Sequence, residues 1–336
     1  MELNSKVITF ITTIYCRLIN SLRKHKLVVK NQNNVSIAYY PEYNKLVRDY
    51  YIYCTHKICD QLDITKNCNI IFGHYKWSFP NYHKTIRIDL QYEHTLVKYG
   101  GRHSSGALKG VIPVSNESNE TYLVRISNFY KLIKADIVID YSRPNIINIS
   151  SSGKYNQMSD KLYHFWPLLY EYNNKVKPHH SRDLGIVTMF GNPDEPYRKL
   201  FINALHRYGI NTLNINNQFT NIESVYRRTK ILINIRQTDS HHTTEELRIL
   251  PALLCGTIVI SETAPLQDSI AYNKFILWAN IENLPELIKT VADNYDGYYD
   301  QIFGNDKLSN MIIQLSNENT ATAAYINDHI NNLLEE

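Results

Sequence analysis

The block 230–262, KILINIRQTDSHHTTEELRILPALLCGTIVISE, holds the side chains best suited to chemistry. Two guanidinium groups, Arg236 and Arg248, flank a segment carrying His241, His242, Thr243, Thr244, Glu245 and Glu246. Arginine, hydroxyls and the free amides of a helix start are all hydrogen-bond donors, and the helix dipole favours negative charge at that end. Together they suit a diphosphate. Arg248 is the first choice for its oxygens and Arg236 the second, with a salt bridge as the alternative use of each.

The elements that position these groups are legible from the apolar spacing. Residues 231–235 read as a buried strand, 236–244 as a polar loop, and 245–255 as an amphipathic helix with Leu247, Leu250, Leu253 and Leu254 on one face. Gly256 closes the helix, and a second apolar strand over 257–261 ends at Glu262. In a parallel α/β sheet such loops lie at the carboxyl edge, where ligands bind. Thr243 and Thr244 are placed to cap the helix and to reach the same oxygens. The Gly191-Asn192 turn, after an earlier strand, belongs to the same edge.

This block resembles the donor-binding segment of GT-B glycosyltransferases, most closely the exostosin-like type, in which a hydroxyl residue, an arginine, an alanine, a glycine and a Pro-Val-Ile run follow in order. Thr244, Arg248, Ala252, Gly256, Val259 and Ile260 are the counterparts here, with Ile258 replacing the proline. The resemblance covers residues 183–292; beyond it there is a general similarity to glycosyltransferases of large DNA viruses. It implies an α/β chain of GT-B architecture, with two Rossmann-like domains facing each other across a cleft. The expected division is an acceptor-side domain over 1–175, a nucleotide-sugar domain over 183–310, and a helix over 311–336 that returns to the first domain.

The same resemblance implies a nucleotide-sugar donor, a UDP-sugar, a glycan or other hydroxyl acceptor, and no cofactor or metal ion. Departure of the sugar leaves charge on the diphosphate, which Arg248 and Arg236 would offset. Glu245 or Glu246 would accept from ribose hydroxyls, or serve only as a helix-start carboxylate. Phe219 would stack on the base or sit in the core. His242 borders the donor, whereas His241 and His242 as sequence neighbours do not form a metal site. The motif Glu-x7-Glu of common retaining enzymes is absent, since eight residues beyond Glu245 and Glu246 stand Leu253 and Leu254. Inversion is therefore expected, with a general base from the first domain. Asp89 and Glu93, at a strand end and on one face of it, are the leading pair, with Asp140 in reserve.

Composition sets the outer limits. The chain has 336 residues, 43% of them hydrophobic, and a mild net charge of +4, which suits two α/β cores and gives no reason to expect nucleic acid. Five cysteines without CxxC spacing suggest reduced thiols in a cytoplasmic protein, the host cytoplasm if the chain is viral. The apolar stretch 7–19 is interrupted by Arg17 and falls short of the roughly 20 residues a membrane span needs, which leaves room for peripheral membrane contact only. A first helix is expected over 4–26, and a polar linker within 144–182 that ends in the basic run 175–182. A tail helix is expected over 301–336.

Two other classes compete with transfer. A non-catalytic nucleotide-sugar or glycan-binding protein would keep Arg248 and lack turnover. A dinucleotide-dependent oxidoreductase or epimerase needs G-x-G-x-x-G after a strand, and the glycines at 100, 101 and 106 have neither that spacing nor a following helix.

Overall fold

Short runs of Ile, Val and Leu alternate with amphipathic helices, and in the computed structural model they build two large sheets and a small third one. The residues described are 28–32, 35–39, 45–64, 66–73, 83–92, 95–98, 111–112, 122–124, 126, 129–153, 155–172, 182–216 and 221–336. The helix expected over 4–26 lies outside them, as do most of the glycine loop and the run 173–181.

The first sheet has the order β1 (Val28–Gln32), β2 (Val35–Tyr39), β3 (Cys68–Phe72), β4 (Lys84–Gln91), β8 (Ile137–Asp140) and β9 (Leu162–His164). β1 is antiparallel to β2, and every other pairing is parallel. Between β4 and β8 the chain makes a small antiparallel sheet from β5 (Leu96–Lys98), β6 (Val111–Ile112) and β7 (Tyr122–Val124). The second sheet is wholly parallel, in the order β11 (Leu213–Asn214), β10 (Leu184–Thr188), β12 (Thr229–Asn234), β13 (Ile258–Glu262) and β14 (Leu277–Ala279). Its central strands are buried on both faces, which explains continuous apolar runs such as Ile231-Leu232-Ile233 in place of alternation.

Helices α1 (Lys45–Gln61) and α2 (Arg143–Ser151) belong to the first sheet. Helices α3 (Pro196–Arg207), α4 (Ile222–Arg228), α5 (Glu246–Leu254), α6 (Leu284–Asp293) and α7 (Tyr295–Phe303) belong to the second. The long α8 (Lys307–Glu335) follows them. Helix α5 packs on α1, so one apolar cluster runs from Ile37 and Tyr50 beside the first sheet to Ile233 and Leu250 beside the second. At the end of α5 Gly256 takes φ +73°, and the amides of Gly256 and Thr257 bond back to Leu253 and Ala252 at 2.9 and 3.0 Å. That left-handed cap turns the chain straight into β13.

Three readings of the sequence are corrected. The region 144–182 is not simply a linker: it contains α2 and β9 and buries Tyr155, Met158, Phe165 and Trp166. Its Asn and Ser residues cap and hydrogen-bond inside the protein. Asn145 accepts from the Thr95 hydroxyl at 2.7 Å, Asn148 donates to Thr95 at 3.3 Å, and Ser142, just ahead of the region, caps α2 through the Asn145 amide. Arg182 is buried rather than solvated, donating to the carbonyls of Tyr226, Thr229 and Cys255 at 3.1, 2.6 and 2.7 Å. The tail helix breaks at Gly304, where any side chain would collide with the Asp300 carbonyl.

Helix α8 packs on α1 and β9 of the first sheet. Asn319, fully buried, accepts from the Trp166 amide and donates to the Trp166 carbonyl and the Tyr53 hydroxyl, each at 2.8 Å. Among the described residues no helix is long and apolar enough to cross a membrane. Replacing Asn319 by Ala strands two buried backbone groups of Trp166, so we expect a loss of about 3 kcal/mol in urea unfolding. A loss below about 1 kcal/mol would mean that water replaces the amide.

Candidate functional site

The strand order of the second sheet reverses between β10 and β12. Chains leaving those two strands diverge, and the crevice at their carboxyl ends is where parallel sheets bind ligands. Three arginines converge there. Arg198 comes from the first turn of α3 after β10, Arg236 from the loop after β12, and Arg248 from the first turn of α5. With Asn234, Thr243 and Glu245 they line a small, partly open hollow.

The three guanidiniums are held differently. Arg236 is ion-paired with the buried Glu262 at the end of β13, which also accepts from the Tyr197 hydroxyl and, at 3.2 Å, from the Arg236 amide. Its Nη1 lies 2.7 Å from Nδ1 of His242, whose Nε2 lies 2.9 Å from the Asp239 carbonyl. A proton on Nε2 satisfies both contacts. Arg248 donates through Nη1 to Asn234 at 3.1 Å, stands 3.9 Å from Glu245, and has a buried Nε without a hydrogen-bond partner. Arg198 lies 4.4 Å above the Phe190 ring, donates weakly to the Asn192 carbonyl at 3.4 Å, and likewise has a buried, unpartnered Nε. Burial, followed by repulsion from Arg248, lowers its pKa to about 10. Two nearby cations thus face the same hollow, each with one buried donor that no protein group accepts.

A second hollow adjoins the first and shares Asn234, Arg236 and Thr243 with it. His241, His242, Thr244 and Glu262 also line it. The loop that forms it is tied to the first half of the chain. The His242 amide donates to the Leu96 carbonyl at 3.1 Å, the Leu96 amide donates to the Thr243 hydroxyl at 3.0 Å, and His241 bridges Val97.

The structure thus gathers Arg236, His242, Thr243, Thr244, Glu245 and Arg248 around the two hollows. The expected capping is corrected: Glu245, not a threonine, occupies the N-cap position of α5, and its side chain does not bond to the helix amides. The Thr243 hydroxyl is taken by Leu96, and that of Thr244 is buried with no partner. Glu245 and Glu246 part company because successive helical residues point to different faces. Glu245 borders the hollow and accepts from Tyr141 at 2.8 Å, whereas Glu246 is wholly buried between the sheets. Gly191 and Asn192 are exposed beside the site, and only the Asn192 carbonyl reaches it, through Arg198.

Asp89 lies within β4, 5% exposed, with Oδ1 accepting from the Leu90 amide at 2.8 Å. Asp140, at the end of β8, is fully buried, and burial raises its pKa well above the usual range. Glu93 and Phe219 lie outside the described residues. Among the described residues no three His, Cys, Asp or Glu side chains converge as a metal site. Sequence reasoning missed Arg198 and Asn234. A signal for Arg198 existed, since a cation in the first turn after Gly191-Asn192-Pro193 faces the dipole of its own helix and needs an anion to balance it.

No family model matches this chain. Over 171 residues, 49% of the chain, it is 30% identical to an uncharacterized protein of Acanthamoeba polyphaga mimivirus, and it spans 56% of that protein's length. Among solved structures, a crystal structure of an α1,3-fucosyltransferase with GDP superposes on 70% of this chain and 69% of its own, at 15% identity and a TM-score of 0.33.

If the unused donors are held for an anion, their removal should cost binding and not stability. Arg198→Met keeps the stem against Phe190 and removes the repulsion with Arg248. We expect a melting temperature equal to or above the wild type, with pyrophosphate binding weakened by roughly tenfold or more. A large drop in melting temperature with unchanged pyrophosphate affinity would make Arg198 a structural residue.

Proposed function

We propose that the protein is a glycosyltransferase of GT-B type, taking a sugar from a nucleotide-sugar donor and passing it to a hydroxyl acceptor on a glycan. The observation that carries this reading is the convergence of Arg198, Arg236 and Arg248 at the switch point between β10 and β12, with the Nε groups of Arg198 and Arg248 buried and unpartnered. The departing nucleoside diphosphate gains negative charge as the glycosidic bond breaks. Guanidiniums already fixed and desolvated stabilise that charge without reorganising. The donor is a UDP-sugar, Glu245 is positioned for the ribose, and no metal ion is required because the arginines supply the positive charge. The lack of a second glutamate eight residues beyond Glu245 or Glu246 favours inversion, with the acceptor deprotonated from the segment holding Asp89 and Glu93.

A second reading, a nucleotide-sugar-binding protein without turnover, is favoured by the burial of Asp89 against the Leu90 amide. The two separate on kinetics. Asp89→Asn and Glu93→Gln should each retain UDP affinity, and loss of the true base should lower the transfer rate by about 10²- to 10⁴-fold. Donor hydrolysis and transfer that stay absent in the wild type, across a panel of donors and glycans, would select the binding protein.

Titration calorimetry with UDP, and with GDP as the comparison, tests the donor site directly. Arg248→Ala should weaken binding by roughly 1.5–3 kcal/mol, the range for a hydrogen bond to a charged group. Unchanged affinity in a folded variant would return Arg248 to a structural role. Transfer abolished by EDTA and restored by manganese would overturn metal independence.

A further inference from the structure

Among the described residues, Glu245 is the one carboxylate that lines the hollow of the three arginines. Arg236 is already ion-paired with Glu262, so the charge that Arg198 and Arg248 offer to an anion turns on where Glu245 lies. Its position does not follow from α5 alone. Glu245 stands at the N-cap and Arg248 three residues on, a spacing at which a carboxylate readily closes on a guanidinium. Yet Oε2 of Glu245 stops 3.9 Å from Nη2 of Arg248, at the outer limit of an ion pair. Arg248 donates to Asn234 instead, at 3.1 Å, and its Nε has no partner.

The group that engages the other carboxylate oxygen comes from the first half of the chain. Tyr141, in the turn between β8 and α2, donates its hydroxyl to Oε1 of Glu245 at 2.8 Å. Tyr141 is fully buried and rigidly held. Its ring meets Tyr50 of α1 edge-on, with centroids 5.9 Å apart, and the Tyr50 hydroxyl is itself bonded to the Phe165 carbonyl at 2.9 Å. Nε2 of His164 lies 3.2 Å from the Tyr141 carbonyl. Two residues on, the Arg143 amide donates to Glu246 at 3.2 Å, which ties the same turn to the start of α5. Burial first, then the nearby Glu245 and Asp140 carboxylates, push the Tyr141 pKa far up, so the phenol keeps the proton that it donates.

We propose that Tyr141 is a positioning residue of the anion site: by donating to Glu245 across the seam between the two halves, it keeps that carboxylate from closing on Arg248 and leaves the guanidinium charge to a diphosphate. Two effects act in the same direction. The hydroxyl fixes one carboxylate oxygen on the far side from Arg248, and the bond also draws part of the carboxylate charge onto the phenol. Loss of the hydroxyl removes both, so more negative field reaches the hollow and an anion binds less well. The first half of the chain thereby sets the charge of a site built on the second.

A double-mutant cycle on the full chain, read by calorimetry with pyrophosphate at low salt, tests the proposal. This arm rests only on an anion site at the arginines; a parallel arm with UDP and GDP rests on the donor reading above. Tyr141→Phe keeps the buried ring and should bind pyrophosphate at least about threefold more weakly than the wild type. Glu245→Gln removes the carboxylate charge and should bind it at least about threefold more tightly. In the Glu245→Gln background the Tyr141→Phe step should change affinity hardly at all, because Tyr141 acts through that charge. Tyr50→Phe disturbs the same seam without touching Glu245, and should leave pyrophosphate affinity unchanged whatever its melting temperature. Wild-type affinity in Tyr141→Phe, or an equal loss in both backgrounds or in Tyr50→Phe, overturns the proposal. So does Glu245→Gln that binds pyrophosphate no more tightly, which supplies the test if Tyr141→Phe does not fold. A wild type that binds pyrophosphate but neither nucleotide would remove the donor reading and leave the cycle to decide Tyr141. One that does not bind pyrophosphate overturns both.

Discussion

The first turn of α5 is held from both sheets at once, and the rest of the site depends on that constraint. Glu246 bonds into the β8–α2 turn, Tyr141 reaches across to Glu245, and β5 pairs with the loop ahead of the helix through Leu96 and Val97. Arg248 inherits its position from these contacts. A helix anchored only to its own sheet would leave the guanidinium free to find a carboxylate or solvent. Here it is fixed with Nε buried and unpartnered.

That arrangement has an electrostatic cost, which an unliganded protein meets through stability elsewhere. Arg198 and Arg248 repel one another across the hollow, and burial alone already lowers the Arg198 pKa. Phe190 beneath Arg198 and the ion pair of Arg236 with Glu262 reduce the penalty without removing it. Neighbouring guanidiniums with buried, unsatisfied donors are expensive in a core and useful beside a binding site. The continuous apolar cluster and the clamp of α8 on Trp166 and Tyr53 supply the offset.

Local sequence carried a large part of this. The apolar runs at 231–235 and 257–261, the helical spacing of Leu247, Leu250 and Leu254, and the stop at Gly256 specify strand, helix and strand because each signal is short-range. Helix α6 spans Leu284–Asp293 as its pattern predicts. Reading failed where polarity was taken for exposure. Asn145, Asn148 and Arg182 are polar and buried, since each satisfies backbone or side-chain partners far along the chain. Composition alone does not separate a solvated linker from an internally bonded turn.

The sequence by itself determined the parallel α/β character of both halves, the strand–loop–helix–strand block, and the concentration of donors at its loop. Periodicity and residue type suffice for these, because they depend on neighbours within a few residues. Only the tertiary structure decided which of two adjacent glutamates borders the hollow and which is buried in the seam, and that Arg198, 50 residues before Arg248, stands beside it. Those outcomes follow from the order in which β10, β12 and β13 pair and from the packing of α5 on α1, and both are long-range facts that no local window contains.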